Sequence, residues 1–104
     1  MDQHEILKRI KSGIVGKDPN AEVYLYGSRA RGDNHKDSDW DILVISSKDK
    51  VNFDVESDLK DPIFDIELES GEIISLLVYS KSDWRKKRSI SPLFANVIKE
   101  GIKI

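Results

Sequence analysis

The spacing of apolar residues changes several times along the chain and predicts short helices alternating with strands. At the start, apolar residues recur at intervals of three and four, which predicts an amphipathic helix ending near Gly13 or Gly16. Val23–Tyr26 is β-branched and aromatic, which predicts a strand. Asp39–Ile45 begins with acidic residues and becomes continuously apolar, which is typical of a central strand covered on both faces.

The second half of the chain continues this alternation. The apolar stripe from Val51 to Gly71 has helical spacing, but Pro62 disfavours a helical residue before it, so we expect two helical pieces or one kinked helix. Glu72–Tyr79 predicts a third strand. Ser91–Gly101 opens with a capping serine and a proline and ends in glycine, as helices do, and Ile102–Ile104 could add a small edge strand. The predicted order is therefore α-β-α-β-α-β-α-β, with helices against a sheet whose strands need not all be parallel.

Length and composition exclude several classes of protein. The chain has 104 residues and no visible linker or repeat, which predicts one domain over residues 1–104. It has no cysteine, which excludes disulfides, thiol catalysis and thiolate zinc sites. Its net charge of -2 provides no global attraction for nucleic acid, so we do not expect a nucleic-acid partner. No apolar stretch approaches the ~20 residues that cross a bilayer, and the polar N-terminus is no signal peptide, so we expect a cytoplasmic protein.

Two aspartates at the start of the second strand are the first candidates for chemistry. Asp39 and Asp41 follow Gly27-Ser28 after ten residues. Because side chains alternate along a strand, both carboxylates project from one face, about 7 Å apart, while Trp40 faces the opposite side. Two carboxylates leave room for water and phosphate oxygens around a metal, which suits Mg²⁺.

The Gly27-Ser28 pair is the natural partner for a polyphosphate. Gly27 removes a side chain where the strand ends, and we expect Ser28 to cap a short helix whose free N–H groups attract an anion. Arg29 and Arg31 are placed to neutralise further phosphate charge. Either arginine could instead pair with a nearby acidic residue: Asp33, Asp37 or Asp39. Together these residues predict a site for phosphoryl or nucleotidyl transfer, in which positioning and charge neutralisation supply most of the catalysis.

Two other known motifs overlap these residues, but the sequence matches neither of them fully. Gly27 and Gly32 have the glycine spacing of a Walker A loop, but Asp33-Asn34 replaces its lysine and its serine or threonine. The acidic residues within positions 37–41 match the start of an EF-hand loop, but Ile42 occupies the position that requires glycine.

The combined motif resembles a known family. Tyr26–Asp33 together with Ser38–Val44 is similar to the signature of DNA polymerase beta-like nucleotidyltransferases, in the minimal nucleotidyltransferase branch, and Ser91–Ile102 resembles the closing helix of its stand-alone members. The resemblance implies an α+β fold with a mixed sheet packed against helices. It also implies transfer of AMP from ATP to a protein hydroxyl with release of pyrophosphate. Many minimal members silence a small helical HEPN partner in this way, so the resemblance implies an antitoxin.

The resemblance also assigns roles to individual residues. It implies that Gly27 and Ser28 hold the triphosphate and that Asp39 and Asp41 are catalytic and hold Mg²⁺. Active members carry a third carboxylate on the next strand, where this chain has Ser75. A neutral serine is a weak Mg²⁺ ligand and cannot deprotonate an acceptor hydroxyl as an aspartate could.

The missing carboxylate leaves two alternatives open. Three acidic residues are candidates to replace it from elsewhere: Asp65, Glu67 and Glu72. Alternatively, the chain is a weak or inactive nucleotidyltransferase fold that neutralises a helical partner by occlusion. A basic run around Trp84 also stays open between a nucleic-acid site, a site for an acidic partner and a solvated helix end. It consists of Lys81, Arg85, Lys86, Lys87 and Arg88.

Overall fold

Helices and strands alternate along most of the chain. The computed structural model describes residues 1–104 and every side chain except that of Leu93. In chain order the elements are α1 (Gln3–Lys17), β1 (Glu22–Tyr26), α2 (Ser28–Arg31), β2 (Trp40–Ser46), α3 (Phe53–Ser70), β3 (Ile74–Ser80), α4 (Lys81–Ile90), α5 (Pro92–Glu100) and β4 (Ile102–Lys103). None of the described helices is both long and apolar enough to span a bilayer.

The strands form one mixed sheet in the order β3-β2-β1-β4. β2 and β3 are parallel, whereas β1 runs antiparallel to both β2 and β4. The mixed sheet confirms the predicted fold class. The short pairing of β4 with Tyr24 and Leu25 confirms the predicted edge strand.

The larger core lies on the face of the sheet covered by α1 and α3. Buried residues of the two helices face the sheet at helical spacing: Ile6, Ile10 and Ile14 of α1, and Leu59, Ile63 and Ile66 of α3. Trp40, Ile42 and Val44 of β2 project into this core. Each fully buried aliphatic side chain stabilises the fold by about 1.5–3 kcal/mol, so this core is the main source of stability.

The opposite face of the sheet is covered by α4 and α5. Leu43 and Ile45 of β2 pack there against Trp84 of α4. Tyr79 and Phe94 complete this cluster, and their rings meet edge to face with centroids 6.0 Å apart. β2 therefore contributes to both cores, which confirms that it is a central strand.

Two residues that commonly break helices lie inside continuous helices. α1 ends at Lys17, which agrees with the predicted end near Gly16 but not with an end near Gly13, and α3 is one helix through Pro62 rather than two helical pieces. The two features meet, because a Cβ atom built on Gly13 would lie 2.8 Å from Cβ of Pro62. Gly13 is thus a point of close helix packing rather than a stop signal, and burial against α1 offsets the hydrogen bond that Pro62 cannot donate.

Other element bounds also differ from expectation. The segment after β3 contains α4 as a separate helix, which the predicted order lacks. β3 begins at Ile74 rather than Glu72, and β2 begins at Trp40, so Asp39 lies just before the strand. At the start of β3, Oε2 of Glu67 of α3 accepts a hydrogen bond from the Ile74 N–H at 3.0 Å.

A buried carboxylate joins the end of α1 to the end of β2. Asp18, 2% exposed, follows the last residue of α1. It accepts hydrogen bonds from the Ser46 hydroxyl at 2.7 Å, from the Ser47 N–H at 3.0 Å and from the Ser47 hydroxyl. These three donors satisfy a charge that would otherwise be costly to bury.

Candidate active site

The turn between β1 and α2 brings the backbone against a carboxylate of β2. Gly27 has φ 75° and ψ -157°, a conformation essentially confined to glycine. A Cβ atom at this position would collide with Oδ2 of Asp41 and lie 3.1 Å from its Cγ. Glycine is required at position 27 because of its backbone conformation and because the Asp41 carboxylate occupies the space that a side chain would need.

Gly27 rather than Ser28 caps α2, so the capping role predicted for Ser28 is wrong. The N–H groups of Ala30 and Arg31 both donate to the Gly27 carbonyl at 3.1 Å. Ser28 is therefore the first residue of this single helical turn, and the N–H groups of Ser28 and Arg29 have no intrahelical acceptor. Ser28 still lies at the turn beside Asp41, where its backbone can meet a phosphate oxygen.

The predicted aspartate pair is brought together at the start of β2. Asp41 is half-buried and lies opposite Tyr26 of β1, whereas Asp39 is exposed. Burial and the charge of Asp39 raise the pKa of Asp41, and the Arg31 guanidinium opposes that shift. The two carboxylates are therefore close enough to repel each other, and a bound cation would relieve this repulsion.

Arg31 links the turn to the last long helix. Its guanidinium donates to Asp33 at 3.2 Å and to Glu100 of α5 at 3.5 Å. The Asp33 contact is one of the ion pairs that the sequence left open. Because the Arg31 charge also reaches Asp41 and its side chain is 46% exposed, it remains available to an incoming anion.

Arg29 plays a different role from either one predicted. Its side chain is 4% exposed and lies over the ring of Trp40, 4.1 Å from the centroid. It donates to the Ser38 carbonyl from Nε at 3.0 Å and from the terminal nitrogen at 2.8 Å, and it pairs with Glu72 at 3.6 Å. Arg29 thus fixes the backbone directly before Asp39 instead of binding a phosphate or an aspartate.

A cavity beside the turn includes residues that sequence reasoning missed. It has a volume of about 330 Å³ and lies between the Gly27 turn and α5. Its lining is Tyr26, Gly27, Arg31, Asn96, Val97 and Glu100. Burial and the charges of Asp41 and Tyr79 raise the pKa of Tyr26 to about 12, so its hydroxyl stays protonated. No local signal in the sequence could place α5 here, because the contact joins distant parts of the chain.

The position on β3 that was expected to carry a third carboxylate holds a serine. Ser75 of β3 is in register with Asp41 of β2, so it lies beside Asp41 on the sheet face. Two of the proposed replacements are engaged elsewhere, since Glu67 accepts from the Ile74 N–H and Glu72 pairs with Arg29. The third, Asp65, lies on α3, which covers the opposite face of the sheet. The described residues contain no group of three potential metal-ligating side chains. Two repelling carboxylates nevertheless fit one divalent ion completed by water and phosphate oxygens.

The strand–turn–helix facing an aspartate pair is the arrangement expected from the resemblance to nucleotidyltransferases, and comparison with known proteins shows the family. A family model described as a nucleotidyltransferase domain matches residues 7–97, and the chain belongs to that family. This confirms the family predicted from the motif.

Individual proteins resemble the chain over most of its length. A protein of Methanocaldococcus jannaschii named "putative protein adenylyltransferase" is 34% identical over 97 residues, which cover 93% of this chain and 88% of the relative. A solved structure described as a "putative minimal nucleotidyltransferase" matches with a TM-score of 0.65 and 23% identity, over 100% of this chain and 97% of the other. A crystal structure of a toxin–antitoxin with AMP-PNP matches with a TM-score of 0.59 and 21% identity, over 99% and 72%. The two structures share the fold.

Proposed function

We propose that this nucleotidyltransferase transfers AMP from ATP to a hydroxyl group of a partner protein. The observation that carries the proposal is the close approach of Gly27 to the Asp41 carboxylate, which leaves a side-chain-free turn facing the aspartate pair. The name of the 34% identical relative, a protein adenylyltransferase, supports AMP as the transferred group and protein as the acceptor.

Within this proposal, each site residue has a defined task. The Ser28 backbone and Arg31 hold the triphosphate, and Gly27 lets it approach. Asp39 and Asp41 hold Mg²⁺, which when bound neutralises charge on the phosphate oxygens. The acceptor oxygen forms a bond to the α-phosphorus, the bond to the bridging oxygen breaks, and pyrophosphate leaves. Since the position beside Asp41 is Ser75, the hydroxyl proton passes to water, and we expect slow turnover.

We further propose that the acceptor is a small helical protein of the HEPN type and that this chain is the antitoxin of the pair. The fold shared with a toxin–antitoxin crystallised with AMP-PNP supports a nucleotide and a partner protein together. We propose that residues 1–104 act as one minimal nucleotidyltransferase domain in the cytoplasm.

The test is labelling of the protein encoded next to this chain. The two proteins are incubated with Mg²⁺ and ATP labelled at the α-phosphate, and in parallel with ATP labelled at the γ-phosphate. We expect label on the neighbour only from α-labelled ATP, and its loss with Asp41→Asn or with a chelator. Asp37→Asn is the matched control, because Asp37 is an exposed acid of the same loop. Equal labelling by wild type and Asp41→Asn would contradict the proposal.

One observation favours a second function, neutralisation of the partner by occlusion without turnover. Ser75 beside Asp41 removes the group that would take the acceptor proton. Occlusion predicts that Asp39→Asn still binds and silences the partner. If the complex with Asp39→Asn survives but the partner regains its activity, occlusion is insufficient and transfer is required.

A further inference from the structure

Helix α4 presents a dense positive charge that the proposed chemistry does not use. The helix carries five basic residues and one acidic residue, all exposed. The basic residues are Lys81, Arg85, Lys86, Lys87 and Arg88. Among the described residues, none of the five takes part in an ion pair. The helix is held to the sheet through Trp84, which is 4% exposed, so its cations project outward uncompensated.

Three of these cations border a groove with an apolar floor. The groove has a volume of about 310 Å³. We call it the basic groove and define it by Lys81, Arg85 and Arg88 at its rim and Tyr24, Ile45 and Ile98 at its floor. The rim residues are spaced i, i+4 and i+7, so they follow one face of α4. Glu22 also borders the groove, but it is engaged by the Tyr24 hydroxyl at 3.0 Å and by Lys103 at 3.6 Å.

The basic groove continues into a second cavity at the end of the strands. This cavity of about 270 Å³ shares Lys81 and Arg85 with the groove and adds Lys48 and four serines. The serines are Ser46, Ser47, Ser80 and Ser82. Asp49 is its one acidic lining residue, so the extended surface remains predominantly cationic.

We propose that the basic groove is the docking site for an acidic amphipathic segment of a partner protein. Apolar side chains of the segment pack on the floor, and its carboxylates pair with the arginines and lysine of the rim. The proposal deepens the proposed function, because it rests on the acceptor being a protein.

The position of the groove suits such a role. Ile45 of its floor and Asp41 of the active site lie on the same face of β2, four residues apart. At about 3.3 Å per residue, this places the floor about 13 Å from the aspartate pair along the strand. A partner anchored in the groove can therefore extend a hydroxyl-bearing segment to the site, and anchoring raises the local concentration of the acceptor.

The groove is a poorer match for nucleic acid. Bases bind such surfaces by stacking on exposed aromatic rings, but Trp84, which also lines the groove, is only 4% exposed. The apolar floor offers no free hydrogen-bond donor or positive charge to a phosphate backbone. The chain outside α4 is net acidic, which repels a long polyanion.

The test measures docking with the full chain and no nucleotide, so a failure of AMP transfer does not affect it. The probe is a fluorescent synthetic peptide of alternating glutamate and leucine pairs, followed by anisotropy. The comparison probes are the same peptide with lysine for glutamate, the same peptide with serine for leucine, and a single-stranded RNA. The test variant is Arg85→Glu with Arg88→Glu. The matched control is Lys86→Glu with Lys87→Glu, which makes the same charge change on α4 outside the groove.

We expect the glutamate–leucine peptide to bind and the groove variant to weaken its binding by about tenfold or more, with less than about threefold loss in the control. The serine peptide should bind more weakly, because it cannot use the floor. Equal losses of affinity in the two variants would show that binding depends only on the net charge of α4, and would overturn the proposal. No binding of the glutamate–leucine peptide, equal binding of its lysine counterpart, or tighter binding of RNA would also overturn it.

Discussion

Replacing Gly27 with alanine tests the closest contact in the active site. At φ 75° and ψ -157°, a residue with a Cβ is strained by about 1–3 kcal/mol. The new methyl group would also collide with the Asp41 carboxylate, which must move. We therefore expect a loss of about 3 kcal/mol in the free energy of unfolding. For a chain of this size, that corresponds to about 12–24 °C in melting temperature.

Gly32→Ala is the matched control for backbone strain. Gly32 also has a positive φ, 82°, but no atom lies within 4 Å of a Cβ built there. Its substitution should lower the free energy of unfolding by about 1 kcal/mol, which is the cost of placing alanine in the left-handed conformation. Denaturant unfolding of both variants separates the two costs. At a temperature where both are folded, Gly27→Ala should lose AMP transfer and Gly32→Ala should retain it.

A double-mutant cycle isolates the contact itself. Asp41→Ala removes the carboxylate that the methyl group meets, so Gly27→Ala should cost about 1 kcal/mol less in that background. Additive losses, within about 0.5 kcal/mol, would show that the Gly27 turn and Asp41 are not packed together. That result would refute the central geometry of the site.

Four further predictions address individual side chains of the site and of the fold. Ser75→Asp should increase AMP transfer because it places a carboxylate in register with Asp41, whereas Ser75→Asn should not; labelling of the partner measures both. Asp18→Asn should cost about 2–3 kcal/mol at neutral pH. Burial raises the pKa of Asp18, but its serine donors outweigh that effect and hold the pKa below its ordinary value, so the stability difference should shrink as unfolding is measured below about pH 4. Asp41→Asn should have the opposite effect on the free energy of unfolding. The pKa of Asp41 is raised, so its charged form is disfavoured in the folded protein, and the variant should be more stable than the ligand-free wild type above about pH 4. Arg29→Lys should cost about 1.5–3 kcal/mol in denaturant unfolding, since lysine cannot both stack on Trp40 and donate twice to one carbonyl.

The spacing of apolar residues was sufficient to predict the helices and strands whose burial follows a local pattern. The continuous apolar run of β2 predicted a strand covered on both faces because each side of it packs against a different pair of helices. It was insufficient where a tertiary contact reverses a local preference. Gly13 and Pro62 are both helix breakers by propensity, but they become compatible with two continuous helices because each fits against the other.

In the candidate site, too, features set by nearby residues could be predicted from the sequence, whereas features set by tertiary contacts could not. The turn at Gly27 and the pair formed by Asp39 and Asp41 could be predicted because both lie within short segments of fixed spacing. The role of Arg29 could not, because its acceptor is a backbone carbonyl and its stacking partner is a tryptophan, and neither leaves a charge pattern in the sequence. The wall that α5 forms beside Gly27 was missed for a related reason, since it depends on how β4 returns the chain to β1.

At the start of β2, neighbouring residues belong to the hydrophobic core and to the candidate site, and the contact between Arg29 and Trp40 connects the two. Trp40 belongs to the large core, whereas its neighbours Asp39 and Asp41 belong to the site. Arg29 lies over the Trp40 ring and holds the Ser38 carbonyl, so the position of Asp39 is set by packing on the opposite side of the sheet. A one-residue slip of β2 would exchange its two faces and bury the carboxylates in the larger core. The free-energy cost of burying these charges and of losing the apolar packing opposes such a slip. The geometry proposed to hold a divalent ion and a triphosphate therefore depends on residues outside the proposed ligand-binding set.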